Sequence, residues 1–131
     1  MDGFAVAHLD EIDERADGRC LFRPVRHYFG IAGFGITAWT AHAAGDLVID
    51  EHDEDDPSSD EELFLVVRGH ARFELNGDQI DAPTGTLIFA PPRAKRIAFA
   101  TAPGTTIMAI EGTPGQAVRS SRFGSMGFTS G

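Results

Sequence analysis

The 131-residue sequence contains one cysteine, one tryptophan, one tyrosine and, beside ten arginines, one lysine. A lone Cys20 closes no intrachain disulfide and supplies too few thiolates for a zinc or iron–sulfur centre, so a reducing cytoplasm is the expected setting. Long apolar runs are absent: the longest aliphatic and aromatic stretch, Leu63 to Val67, is far too short to cross a bilayer. The opening MDGFAVAHLDEIDER has neither a basic start nor an apolar segment of signal-peptide length. Basic charge is scarce as well, with 11 Lys and Arg against 20 Asp and Glu for a net charge of −9. Without a basic stripe the chain repels phosphate backbones and anionic lipid, which excludes nucleic acid and membrane surfaces as partners. Also missing are a Gly-x-Ser-x-Gly elbow, a phosphate-cradling glycine loop opening a helix, Cys-x-x-Cys and His-Glu-x-x-His. Their absence removes the serine hydrolase, nucleotide-binding and zincin readings.

What is present reads as one domain of short strands. A chain of this length buries enough surface for one core and not two. Helical periodicity is confined to Leu9–Ile12, enough for a turn or two. The segment His70–Leu75 alternates polar and apolar residues and leads into Asn76-Gly77, whose tolerance of positive φ suits a type I′ hairpin. Gly69, Pro83-Thr84-Gly85, Pro91-Pro92, Pro103-Gly104 and Gly112 punctuate the rest. Strands are expected at 21–29, 35–43, 46–52, 62–68, 70–76, 78–82, 86–90, 95–100 and 105–110, the spacing of an antiparallel all-β sandwich or barrel. The division expected is an N-terminal segment 1–19, a barrel domain 20–112, and a tail 113–131. In that tail Phe123, Met126 and Phe128 would gain order only on a partner subunit.

The negative charge is local. Nine of the 20 acids lie between Asp50 and Glu62 with no Lys or Arg among them, leaving 11 acids against 11 bases elsewhere. Asp53–Asp60, with Pro57-Ser58-Ser59 inside it, reads as a solvated loop between two strands.

Two strings resemble the motifs of small single-domain cupins, over about residues 35 to 112. The first runs Gly45, five residues, Glu51-His52-Asp53, a longer gap, Glu62, six residues, Gly69, and includes EELFLVVRGHARFELNG, which is similar to the family's central hairpin. The second runs Gly85, five residues, Pro91, then Arg93, Arg96 and Ala100. The resemblance implies a jelly-roll-like double-stranded β-helix and commonly a homodimer. It also implies an interior site where metal-binding members converge three imidazoles and a carboxylate. Here Glu51, Asp53, Glu62 and Arg96 would stand at those four positions. Three carboxylates suit a hard divalent cation, but a guanidinium aimed at the same point repels it. Arg96 is therefore expected to replace the metal and pair with Glu62 or Glu51. A bulge in the longer gap would instead turn His52 inward, and a His52/Glu62 pair could hold a divalent metal.

If Arg96 faces inward, alternation sends Ala98 and Ala100 inward with it and Ile97 and Phe99 to an outer face that needs cover, for which a second subunit is expected. Tyr28 and Trp39 lie on strands that would line or edge the barrel and join Glu51, Asp53, Glu62 and Arg96 as candidate ligand contacts. Three functions stay open. One is a binding, sensing or accessory module that takes a small organic molecule without a metal cofactor. Another is an isomerase, epimerase or cyclase with Glu62 or Glu51 as a base of raised pKa and Arg96 stabilising developing negative charge. The last is a barrel filled by its own side chains, acting through a dimer or its acidic loop. The field of the acidic stretch should favour neutral or cationic ligands over anionic ones.

Overall fold

Residues 3–54 and 60–115 are described by the computed structural model. In chain order the strands are β1 (Arg15–Asp17), β2 (Cys20–Arg23), β3 (Gly35–Ala41), β4 (Leu47–His52), β5 (Glu61–Arg68), β6 (His70–Leu75), β7 (Asp78–Pro83), β8 (Leu87–Ala90), β9 (Arg96–Ala100) and β10 (Thr105–Gly112). Two sheets face each other, one ordered β1-β2-β3-β10-β5-β8 and the other β4-β9-β6-β7, with antiparallel pairing throughout. The all-β expectation holds. Leu9–Glu11 forms a single 3-10 turn. Residues 116–131 of the expected tail, including Phe123, Met126 and Phe128, and residues 55–59 of the acidic loop lie outside the described residues.

The expected strand 21–29 is a misreading with a simple cause. Pro24 has no N–H to continue a ladder, so β2 ends at Arg23 and Val25–Phe29 form one helical turn, α1. Gly30, at φ 69°, closes it by donating its N–H to the carbonyls of Arg26 and His27. The strand β1, not anticipated, pairs with β2 through Arg15–Phe22 and Asp17–Cys20. Asn76 and Gly77 adopt φ 51° and 88°, the positive values that a type I′ turn needs between β6 and β7.

Alternation fixes which side chains meet between the sheets. Phe64, Val66, Phe73, Ile88, Ala98, Ala100, Ile107 and Ala109 point inward and are buried, with the Phe64 and Phe73 rings 5.5 Å apart. Trp39, also inward, packs on this cluster and against Phe22 at 5.5 Å. Each buried Phe or Ile contributes about 2 kcal/mol through removal from water, so this layer is the main source of stability.

The outer faces are treated unequally. On the six-stranded sheet Ile12, Val25 and Leu9 cover Ala38, Ile36 and Met108, and the Arg23 guanidinium donates to the Ile12 carbonyl to tie this cover down. Toward the β8 edge the same face is open, with Leu63, Leu87 and Phe89 at 37%, 62% and 57% exposure. On the four-stranded sheet Ile97 and Phe99 are half-buried, and the Arg72 guanidinium lies 5.1 Å from the Phe99 ring centroid, so the chain supplies part of that cover itself.

Candidate functional site at the barrel mouth

The polar layer at one end of the barrel begins with an irregularity in β4. Its pairing with β9 shifts register between Leu47 and Ile49 and again between Ile49 and His52, which sets His52 opposite Arg96. An extra residue in one strand reverses which side chains face the core. His52 turns toward Arg96, and Glu51, expected inside, is exposed, its backbone N–H held by the Asp50 carboxylate at 2.8 Å. Asp53 follows the end of β4 and is half-buried.

Strict alternation along β9 carries Arg96, Ala98 and Ala100 inward together, as the sequence leads one to expect. Arg96 has 0% exposure and Glu62 5%. The guanidinium donates from Nη2 and Nε to one oxygen, Glu62 Oε1, at 2.8 and 3.2 Å. Its Nη1 donates to the Ala94 carbonyl and, at 3.3 Å, to that of Pro91, so the proline-bounded turn before β9 serves as an acceptor cradle. No buried donor of Arg96 is left unmet, which is the condition under which a buried charge is tolerated.

His52 completes the pair. Its Nε2 lies 3.2 Å from Glu62 Oε1 and 3.3 Å from Glu54 Oε1, and its Nδ1 lies 2.9 Å from the Asp50 carbonyl oxygen. Both nitrogens face acceptors, an environment satisfied by the doubly protonated ring. The hydrogen bond to Glu62 accordingly raises the His52 pKa against the opposing effect of burial. For Glu62 burial pushes the pKa upward, but hydrogen bonds from His52 and Arg96 and their charges outweigh it, leaving the carboxyl below its ordinary value. The expectation of a Glu62 base with raised pKa is thereby reversed, because two donors hold its charged form.

Sequence reasoning missed two members of this layer. Glu54, just past β4, donates its backbone N–H to the Pro92 carbonyl at 2.7 Å, linking the first motif to the second. Glu111 stands directly across from Glu62 in the β5–β10 ladder and from Gly35 in the β3–β10 ladder. Its pKa is raised by burial and then by repulsion from Glu62, Glu54 and Asp60. The signal for Glu111 was available: the inward series Ile107, Ala109 continues to 111, one residue past the expected end of the strand. Glu54 carried no such signal, because it lies in a loop whose path depends on the bulge.

The candidate aromatics are not gathered here. Tyr28 sits on α1, half exposed and edge-on to Phe29, on the helix whose Val25 packs the outer cover. Trp39 lies inward on β3, four residues below Gly35 in the strand that meets Glu111.

His52, Glu54 and Glu62 place one possible donor atom each within 4.8 Å of one another. One nitrogen and two oxygens is a plausible set for a divalent cation, but the surroundings do not suit one. The Glu62 oxygen that would bind it already accepts from Arg96 and His52, the imidazole nitrogen faces two carboxylates as a donor, and the guanidinium lies against the same oxygen.

No protein-family model and no curated protein matches the chain. Solved structures match it closely in shape. KdgF from a Halomonas species superposes with a TM-score of 0.66 at 18% identity, over 79% of this chain and 90% of that one. A cupin protein from Bacteroides fragilis gives 0.64 at 15%, over 85% and 92%. The Streptomyces nucleoside dehydratase Pac13 gives 0.60 at 14%, over 82% of each chain. Paired antiparallel sheets thus have their counterpart in these structures, and the likeness shows that the chain has the fold of cupin proteins.

Proposed function

We propose that the protein binds a small organic molecule at the barrel mouth and does so without a transition metal. The observation that carries this reading is the fully buried Arg96 guanidinium on Glu62 Oε1 at 2.8 Å, a fixed charge where a cation would otherwise hold the carboxylate. Below the polar layer Phe64, Phe73 and Ile107 fill the interior, so the ligand sits among His52, Glu54, Glu62 and Arg96 rather than deeper in the barrel. Glu51 and Tyr28 take no part in it. The buried, unpaired Cys20 suits a reducing cytoplasmic setting.

Metal analysis of untagged protein purified without chelator tests the metal-free reading. Near-stoichiometric transition metal that disappears in H52A or E62Q overturns it. A thermal-shift screen of small metabolites tests the site: stabilising compounds whose effect is lost in E62Q support it, and compounds equally effective on that variant place binding elsewhere.

An isomerase, epimerase or cyclase acting through acid–base chemistry is the second reading. It is favoured by two carboxyls in register on adjacent strands whose pKa values move in opposite directions, Glu62 down and Glu111 up. Arg96, engaged with Glu62 and backbone carbonyls, would then act through Glu62 rather than on the substrate. The exposed Leu63, Leu87 and Phe89 support a homodimer formed on that face, which light scattering on wild type and L87E would test.

A further inference from the structure

A second recess lies at the far end of the strands that lead to the mouth. His52, Arg96 and Gly35 mark the mouth ends of β4, β9 and β3. Toward the opposite ends of the same strands, Leu47, Phe99 and Thr40 line a groove of about 390 Å³, a volume suited to a small molecule. The groove follows the seam between the sheets: Leu21 and Thr40 belong to the larger sheet, Leu47 and Phe99 to the smaller.

Much of its lining is apolar. Leu47 pairs with Phe99 across the β4–β9 ladder and Phe99 with Arg72 across the β6–β9 ladder, so Arg72 bounds the ring on the flank away from β4, its guanidinium 5.1 Å from the ring centroid. Leu21, Leu47 and Phe99 are each half-buried and leave apolar surface for a ligand to cover. Thr40 has less to offer, since it is buried and its hydroxyl donates to Glu14 Oε1 at 2.6 Å.

The two walls carry opposite charges. Arg19, in the turn between β1 and β2, stands on the side of the larger sheet, and Asp46, just ahead of β4, on that of the smaller; both line the groove. Arg19 is exposed and donates from Nη2 to Asp50 Oδ1 at 3.0 Å, while the rest of its fork meets no polar partner among the described residues. Asp46 accepts from the Ala43 N–H through Oδ2 at 3.3 Å, and its Oδ1 has no partner among the described residues. Its backbone is fixed in place: the Asp46 carbonyl accepts from the Ala100 N–H at 2.8 Å, and the neighbouring Gly45 N–H donates to the Ala100 carbonyl at 2.8 Å. A donor fork and a carboxylate, each with capacity to spare, thus flank an apolar surface.

We propose that this groove binds a free α-amino acid with an apolar side chain, held as its zwitterion. The ligand carboxylate accepts from Arg19, its ammonium donates to Asp46, and its side chain packs on Leu21, Leu47 and Phe99. A simple acid would satisfy Arg19 and leave Asp46 unanswered, and a simple amine would do the reverse, whereas a molecule carrying both charges complements both walls.

The test uses the full chain, ¹⁵N-labelled, titrated near neutral pH and at constant ionic strength with L-phenylalanine, 3-phenylpropanoate and phenethylamine. L-Phenylalanine should bind most tightly and shift the amides of Leu21, Gly45 and Leu47. R19Q should weaken L-phenylalanine and 3-phenylpropanoate by about fivefold and phenethylamine by no more than about twofold, as expected for charge-assisted hydrogen bonds at exposed groups. D46N should weaken L-phenylalanine and phenethylamine by about fivefold and 3-phenylpropanoate not at all. Both substitutions fall at exposed positions, and asparagine keeps an acceptor for the Ala43 N–H, so both variants should fold. Either single-charge compound binding as tightly as L-phenylalanine overturns the inference, as does L-phenylalanine binding that R19Q or D46N leaves unchanged. Shifts confined to the mouth amides of Gly35, His52 and Gly112, or no shift with any of the three compounds, also overturn it.

Discussion

Arg96 and Glu62 meet at 2.8 Å inside the barrel, Arg96 wholly buried and Glu62 nearly so, on strands that belong to different sheets. The pair therefore clamps the two sheets together at the end where the polar layer sits. Desolvating two charges costs several kcal/mol each, and the mutual attraction repays this only when the remaining donors and acceptors are satisfied. Here His52 supplies a further donor to Glu62, and the carbonyls of Ala94 and Pro91 supply acceptors to Arg96.

Breaking that clamp from one side should be far worse than removing it. R96M leaves Glu62 charged and buried, and the expected loss is about 3–5 kcal/mol in urea denaturation. The double variant E62Q/R96M strands no charge and should regain more than half of it. Equal losses in the single and double variants would mean that the apolar packing of the Arg96 stem matters more than its charge.

Replacing the guanidinium by an imidazole should open the mouth to metal. R96H removes the fixed charge from Glu62 Oε1 and adds a neutral ligand beside His52, Glu54 and Glu62. Cobalt(II) added to R96H should give visible absorption bands that wild type lacks and that H52A/R96H abolishes. Bands of equal strength in wild type would show that Arg96 does not keep cations out.

Stability should peak between two limits set by His52 and Glu62. The His52 pKa is raised above 6.5 in the fold, so its contribution is full below about that pH and is lost as pH rises through the folded value. The Glu62 pKa is lowered beneath 4.5, so its contribution is full above that pH and is lost as pH falls through the folded value. Melting temperatures across this range should decline on both sides for wild type, and H52Q should flatten the alkaline decline. An alkaline decline unchanged in H52Q would assign it to another group.

Glu111 should act in the opposite sense. Burial and neighbouring carboxylates raise its pKa from 4.5, so folding is penalised as pH rises from that value through the folded one and stays penalised above it. E111Q should thus melt higher than wild type near neutral pH and no higher near pH 4. A variant less stable than wild type at neutral pH would show a structural contact that outweighs the repulsion.

The fold was legible because its signals are local and repeated. Alternation in His70–Leu75, the Asn76-Gly77 turn and glycines at 45, 69 and 85, all with positive φ, each specify a hairpin corner or strand face without reference to the rest of the chain. The inward path of Arg96, Ala98 and Ala100 followed from the same alternation. The inward turn of His52 was expected only as the alternative to Glu51, and the pattern did not place the shift within β4, before His52. A bulge is a property of two strands in register, and β4 and β9 are separated by about a third of the chain, so neither string alone shows that His52 replaces Glu51. The aromatic candidates failed for another reason: chemical rarity singled out Tyr28 and Trp39, yet Pro24 had already ended the strand that would have carried Tyr28 toward the barrel.

The place of β10 in the larger sheet sets the timetable of assembly. It is the last of the described strands and lies between β3 and β5, so until it arrives the other five strands of its sheet are two separate ribbons, β1-β2-β3 and β5-β8. Met108 belongs to it, so Ile12 and Val25, far ahead of it in the sequence, find their docking surface incomplete until β10 is in place. Glu111 belongs to it as well. A chain emerging from the ribosome must hold these two ribbons apart until β10 follows, and the mouth takes its shape only then.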